Sequence, residues 1–349
     1  MAGSSQLYIN GKFLSQKATG VQKFAIGVTL ALQKKNPDII VIAPRGKYNF
    51  HGINIKKSGW GINFLWEQIW LPLFFLFQSD FLLINFCNTA PLLVKRQIVT
   101  IHDLAFRKNK AWFSNSFRRW YNFLIPRLCK RSIKIITVSE FIKKEICLNF
   151  AMPPGKVCVV PNGIPEMKYD EQKSYNFKYL LLTGIYNPRK NATFILSQLA
   201  EIKKRNFHIV GVGLDSDIYG GNDLGTDNNF HLLNYVDDLK YYTLLKHAEA
   251  LLYPSEYEGF GIPILEALSI GTPVIIPDIE VYRESFDNLP MYYQAGNANS
   301  FLQVLDNINV DKPTINELSV LKNKYTFDNS ADIISAILKC DPIKNRANN

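Results

Sequence analysis

Apolar residues in this chain fall in short runs separated by longer amphipathic stretches. The runs at residues 7–10, 39–43, 81–85, 98–101, 134–138 and 157–160 show little polar alternation. Strands covered on both faces have that pattern. Between residues 20 and 34 the apolar positions recur instead at helical spacing. The second half repeats the scheme, with strands expected at 179–183, 208–212, 250–253, 274–277 and 291–293 and helices starting near 192, 238, 262 and 300. Such alternation predicts an α/β fold of doubly wound parallel sheets. The tail from about residue 312 reads as helical, and residues 342–349 as polar and frayed.

A length of 349 residues exceeds one ordinary core and suits two domains. The turn-rich segment Pro161-Asn162-Gly163-Ile164-Pro165 marks the joint. The expected division is 1–163, 164–325 and a C-terminal helical segment 326–349 that packs back on the first domain. Charge follows the same split. Of 40 Lys and Arg against 30 Asp and Glu, residues 1–165 hold 23 and 6, leaving 17 and 24 for the rest. Net charges of +17 and −7 suggest two bodies with different partners. The five cysteines form no CxxC pair, which argues against zinc and disulfide frameworks and fits a reducing cytoplasm. The N-terminus lacks a basic-then-apolar leader. The most apolar window, residues 69–77, is broken by Pro72 and falls short of the ~20 residues that span a bilayer.

The most informative stretch runs from Pro254 to Leu268. Glu258 and Glu266 flank Gly259-Phe260-Gly261-Ile262, where a short apolar helix opens. A helix start holds phosphate through free amide hydrogens and the positive dipole end. The flanking carboxylates accept hydrogen bonds from sugar hydroxyls. An anion cradle between two hydroxyl acceptors suits a nucleotide-sugar, one carboxylate meeting the ribose and the other the transferred sugar. The flanking strands place this loop at the carboxyl edge of a parallel sheet.

Several landmarks in order resemble the retaining glycosyltransferases of family 4, whose GT-B architecture is two Rossmann-like domains facing a central cleft. They are Thr19-Gly20-Val21-Gln22-Lys23-Phe24, Thr100-Ile101-His102-Asp103-Leu104, Val138-Ser139-Glu140-Phe141, Val160-Pro161-Asn162-Gly163, Gly184 with Pro188-Arg189-Lys190-Asn191, and the block from Ala248 to Val274. The resemblance covers the whole chain and points to bacterial surface-polysaccharide mannosyltransferases. It implies catalytic roles for His102, Glu258, Arg189 and Lys190, with the two cations balancing the leaving diphosphate. It implies donor binding by Gly20, Gly259, Phe260, Gly261, Ile262 and Glu266. His102 would be a binding residue near donor sugar and acceptor. Adjacent residues on a strand face opposite ways, so Asp103 is not expected to orient it.

Other patterns carry less. Asp215-Ser216-Asp217 imitates a metal-binding DxD but lies in a polar, turn-rich loop, so no metal is expected. Gly211-x-Gly213 lacks the third glycine of a dinucleotide fingerprint. Residues 107–134 hold nine Lys or Arg and no acid, interleaved with aromatics. Arg118, Arg119, Lys130 and Arg131 are therefore candidates for an anionic membrane surface or an acceptor. No nucleic-acid motif accompanies them. The resulting expectation is a cytoplasmic, peripheral, metal-independent, retaining hexosyltransferase without cofactor. Its partners would be a nucleoside-diphosphate sugar such as GDP-mannose and a lipid-linked glycan acceptor. Two alternatives remain: another enzyme of this fold, such as a nucleotide-sugar epimerase or a phosphorylase, and a basic membrane- or nucleic-acid-binding protein with a degenerate donor site.

Overall fold

A computed structural model describes residues 5–17, 19–46, 48, 52–60, 63–213, 228–308 and 313–339. Asp215 and Asp217 lie outside the described residues. The chain divides into two compact units. One runs to Gly163 and resumes at Tyr325; the other is Ile164–Lys324.

The first unit contains β1 (Gln6–Asn10), β2 (Ile40–Ala43), β3 (Ile55–Lys57), β4 (Phe81–Asn85), β5 (Gln97–Thr100), β6 (Lys134–Thr137) and β7 (Val157–Val159). They form one parallel sheet in the order β3-β2-β1-β4-β5-β6-β7. The second contains β8 (Tyr179–Thr183), β9 (His208–Val212), β10 (Phe230–Leu233), β11 (Ala250–Leu252), β12 (Val274–Pro277) and β13 (Met291–Tyr293). Their order, β10-β9-β8-β11-β12-β13, is again wholly parallel. Each sheet reverses its winding once, between β1 and β4 in the first and between β8 and β11 in the second. Ligands of doubly wound sheets bind outside the carboxyl ends of strands at such reversals.

The central strands match the apolar runs of the sequence. Two edge strands, β3 and β10, were not expected. β3 is Ile-Lys-Lys and β10 is Phe-His-Leu-Leu, and both are partly exposed. An edge strand covered only in part has no need of a continuous apolar run, so its signal is weak.

In the first core, Ile9, Val41, Ile84 and Ile136 pack with Phe24, Val28 and Leu32 of the helix Gly20–Lys35. Ala331 and Ile334 of the final helix, Phe327–Lys339, complete it. Gly27 makes this docking possible, because a Cβ there would lie 2.3 Å from the Phe327 ring. Ser330 Oγ donates to the Pro161 carbonyl at 2.7 Å, tying the returning helix to the end of the first domain. The second core is built on Leu180, Leu182, Ile209, Leu252 and Ile275, covered by Ile195, Ile202, Phe301 and Leu305.

Candidate active site

The second sheet's reversal lies between β8 and β11, and both strands end in loops that interlock there. After β8 the chain turns at Gly184 (φ +73°), where a Cβ would crowd the Lys190 stem at 3.0 Å. A short 3-10 turn, Pro188–Lys190, follows, with the Asn187 side chain accepting from the Arg189 amide. After β11 comes the loop through Glu258 to the helix Ile262–Ser269. The loops are stitched by Glu256 N–H to the Arg189 carbonyl at 3.1 Å. Arg189 Nη1 donates in turn to the Tyr257 carbonyl at 2.7 Å.

Glu258 is the centre of this arrangement. The residue is 7% exposed, and its carboxylate lies 2.8 Å from Arg189 Nη1 through Oε2 and 2.5 Å from Lys190 Nζ through Oε1. Ser255 Oγ donates to Oε1 at 2.7 Å, and the Tyr253 hydroxyl donates to the same oxygen at 3.1 Å. Burial pushes the carboxyl up, but the Arg189 guanidinium and Lys190 ammonium more than offset this and hold it at about 2. Lys190 also hydrogen-bonds the Tyr253 hydroxyl, and its Nζ lies 4.3 Å from that ring's centroid. Burial, then the Glu258 charge, raises the Tyr253 hydroxyl well above its ordinary value. The three candidates Arg189, Lys190 and Glu258 are thus one ion triad around a buried carboxylate. The sequence located all three but not their pairing.

Gly261 caps the helix with φ +105°. A Cβ there would lie 2.9 Å from Ile264 Cδ1 and 3.2 Å from Tyr282 Cε1, so glycine alone fits. Phe260, 4% exposed, packs edge-on against Phe286 and fixes the turn from within. Gly259 is buried and Ile262 half-buried beside it. Glu266 is 2% exposed and accepts from the Tyr242 hydroxyl at 2.9 Å. Tyr242 and its neighbour Tyr241 belong to the helix Asp238–His247. Burial first, and the Glu266 charge second, keep both phenols above their ordinary range. No sequence pattern had indicated these tyrosines. Gly211 and Gly213 have a packing role: Cβ atoms there would lie 2.1 Å from Ile185 and 2.5 Å from Tyr186. They let the β8 loop lie directly on β9.

In the first unit His102 follows β5 and is 6% exposed. Its Nε2 lies 2.8 Å from the Phe86 carbonyl, which can only accept, so Nε2 carries the proton. Burial lowers the imidazole's proton affinity and keeps the ring neutral. Asp103 accepts from the Ala105 amide at 3.0 Å, so the Phe86 carbonyl, not Asp103, orients the ring. Phe24 meets it edge-on at 5.1 Å. Phe24 lies one turn into the helix that opens at Gly20, behind Thr19, whose amide donates to Gln22 Oε1.

Comparisons with known proteins cover both units. Residues 18–168 match the model Glycosyltransferase Family 4, and residues 164–312 match Glycosyl transferases group 1. The chain belongs to the glycosyltransferases, with a family 4 domain followed by a group 1 domain. Its sequence is similar to the O-antigen chain mannosyltransferase RfbU of Salmonella typhimurium, 28% identical over 71% of this chain and 70% of that one. It is also 28% identical to the O-antigen chain mannosyltransferase B of Escherichia coli, over 53% of this chain and 54% of that one. The fold matches WaaG, a glycosyltransferase involved in lipopolysaccharide biosynthesis, with TM-score 0.64 and 17% identity, covering 97% of this chain and 98% of that one. It matches HepE of Anabaena, solved with UDP and glucose, with TM-score 0.74 and 14% identity over 96% and 100% of the two chains. The fold is GT-B.

The glycosyltransferase's basic helix, Asn115–Arg131, carries the remaining candidates. Arg119, Lys130 and Arg131 are exposed. Arg118 is half-buried, and its Nε donates to the Phe106 carbonyl at 3.4 Å. Among the described residues no group of His, Cys, Asp and Glu is arranged to hold a metal ion, and no helix is long and apolar enough to cross a membrane.

Proposed function

We propose that this glycosyltransferase moves a hexose from a nucleoside-diphosphate sugar, GDP-mannose being favoured, to a glycan on a lipid carrier. The transfer retains anomeric configuration, needs no metal, and serves assembly of a bacterial surface polysaccharide at the cytoplasmic face of a membrane. The observation that carries the reading is the Arg189–Glu258–Lys190 triad beside the helix start at Gly261. The similarity to O-antigen chain mannosyltransferases supports the choice of sugar and pathway class.

In this reading the diphosphate lies at the helix start, where amide hydrogens and the dipole favour it. Arg189 and Lys190 share their hydrogen bonds between Glu258 and the diphosphate, and balance the charge that grows as the glycosidic bond breaks. A Glu258 oxygen released by that sharing accepts from a hydroxyl of the donor. Glu266, held by Tyr242, accepts from another. A donor phosphate oxygen takes the acceptor proton on the face from which the diphosphate leaves. His102, neutral and with Nε2 committed to Phe86, binds without serving as a general base.

A panel of nucleoside-diphosphate sugars, assayed for release of the nucleoside diphosphate with a lipid-linked glycan present, tests the proposal. Turnover with GDP-mannose and an α-linked product from an α-linked donor is the expected result. Release from none of the panel, or an inverted product, would refute it.

A further inference from the structure

The first unit presents an apolar face that its own fold leaves uncovered. The helix joining β3 to β4 has three pieces: Asn63–Leu65, a π-helical turn Trp66–Trp70, and Leu71–Leu76. Pro72 accounts for the π turn. It has no amide hydrogen, and its ring would strike the carbonyl four residues back in a regular helix. The Leu71 amide instead reaches the Trp66 carbonyl.

The inner side of this helix is pinned. Trp66, Leu71 and Phe75 pack with Tyr8 and Leu83. Glu67, in the middle of an apolar helix, is 1% exposed. It pairs with Lys12 Nζ at 2.9 Å and accepts from Asn10 Nδ2 and Thr89 Oγ1 at 3.1 Å each. Rotating the helix to hide its outer residues would pull this carboxylate out of a buried ion pair and leave Lys12 without its counter-charge.

The outer residues Leu65, Ile69, Trp70, Leu73, Leu76 and Phe77 are therefore held outward, at 39–84% exposure. The neighbouring helix Asn115–Arg131 continues the face, with Trp120 meeting Phe64 edge-on at 4.8 Å. Phe123 is 43% exposed beneath the Arg127 guanidinium, 3.8 Å from its centroid. Arg119, Arg127, Lys130 and Arg131 of this same helix are exposed, and Lys56 Nζ lies over the ring of Phe74 in the ridge helix. From residue 39 to 79 the single carboxylate in the sequence is the buried Glu67, and residues 107–134 have none.

We infer that this face seats the protein in an anionic lipid monolayer. The ridge of residues 64–77 enters the headgroup–acyl boundary, and the flanking cations meet the headgroups. An apolar ridge alone would suit many partners. An apolar ridge with cations beside it, and with exposed Asp80 beyond its end paired to Arg96, matches a surface that is negative outside and hydrocarbon within. The N-terminal half of the helix, anchored through Glu67 to the end of β1, lies at the sheet edge from which His102 also emerges. The purpose of such seating rests on the proposed lipid-carried acceptor. The seating itself is tested without any glycan.

The full chain is mixed with phosphatidylglycerol–phosphatidylcholine vesicles, with and without brominated acyl chains. The expected result is co-sedimentation with quenching of tryptophan fluorescence by the brominated chains, most of it lost in Trp70→Phe. A triple variant, Ile69→Ser, Leu73→Ser and Leu76→Ser, should bind vesicles on the order of tenfold or more weakly. Its circular dichroism and donor affinity should match those of the parent. Equal vesicle affinity of parent and triple variant would overturn the inference. So would bound protein without quenching, equal binding to pure phosphatidylcholine, or a parent that dimerises through the ridge and ignores vesicles. Normal seating by a protein that binds no nucleotide-sugar would overturn the proposed function alone.

Discussion

Arg189 Nη1 lies 2.8 Å from Glu258 Oε2, and the same arginine donates to the carbonyl of Tyr257 next to that glutamate. One guanidinium thus holds both the side chain and the backbone of the opposing loop. The two loops leave different strands, β8 and β11, and this pair makes them one surface. Lys190 on the other carboxylate oxygen completes a triad with one anion and two cations. Its surplus positive charge lies beside a helix start. In the proposed function that surplus is what receives the donor's diphosphate.

Replacing Glu258 by Gln should therefore destabilise the protein by about 3–5 kcal/mol, because two largely buried cations lose their counter-charge. Denaturant melts measure this. A nucleoside diphosphate should restore more stability to the variant than it adds to the parent, since it replaces the missing anion. Equal ligand-induced shifts in both proteins would mean that the diphosphate does not meet these cations.

Acid should act on the same triad. The folded Glu258 carboxyl sits at about 2, below its ordinary 4.5. Its contribution to stability is complete above pH ~4.5 and lost as pH falls from there towards 2. Stability of the parent should decline over that interval more steeply than that of Glu258→Gln. Parallel acid profiles would contradict the depressed value.

Lys190→Ala and Glu266→Gln should each weaken nucleotide-sugar binding roughly tenfold to a hundredfold, the cost of one hydrogen bond to a charged group. Calorimetry gives the affinity and circular dichroism the fold. Unchanged affinity in both variants would move the donor elsewhere.

Gly261→Ala should cost about 1–3 kcal/mol from the positive φ, with more from the contact to Ile264. Donor affinity should drop with it, since the helix start must shift. A variant as stable as the parent, by thermal melt, would show that the turn adapts.

His102 should stay neutral below its ordinary pKa of 6.5, because burial opposes its charge. The unfolded chain takes up that proton first, so the stabilisation present above pH ~6.5 diminishes as pH falls towards the folded value. Nitrogen-15 NMR of the ring should show Nε2 protonated and Nδ1 bare at neutral pH, with the ring taking up its second proton below the ordinary 6.5. An imidazolium signal at neutral pH would argue for a charged role.

Much of this protein was legible in its sequence because the relevant physics is local. A central parallel strand must be apolar on both faces, so β4, β8, β9 and β12 stand at the limits their runs imply. The turn at Gly261 and the helix after it follow from the order of glycine, proline and apolar residues. What only the tertiary structure decided are relations between distant segments. No periodicity brings Glu258 to Arg189, seats Tyr242 against Glu266, or sends Nε2 of His102 to the Phe86 carbonyl. The apolar window around residue 69 read as too short to span a membrane. Its outward orientation was settled by Lys12, which holds Glu67 on the inner side. Spacing along the chain can specify which groups reach one sheet edge. Which of them neutralise one another there depends on desolvation and on close approach of atoms from separate loops, and that exists only once the strands are in register.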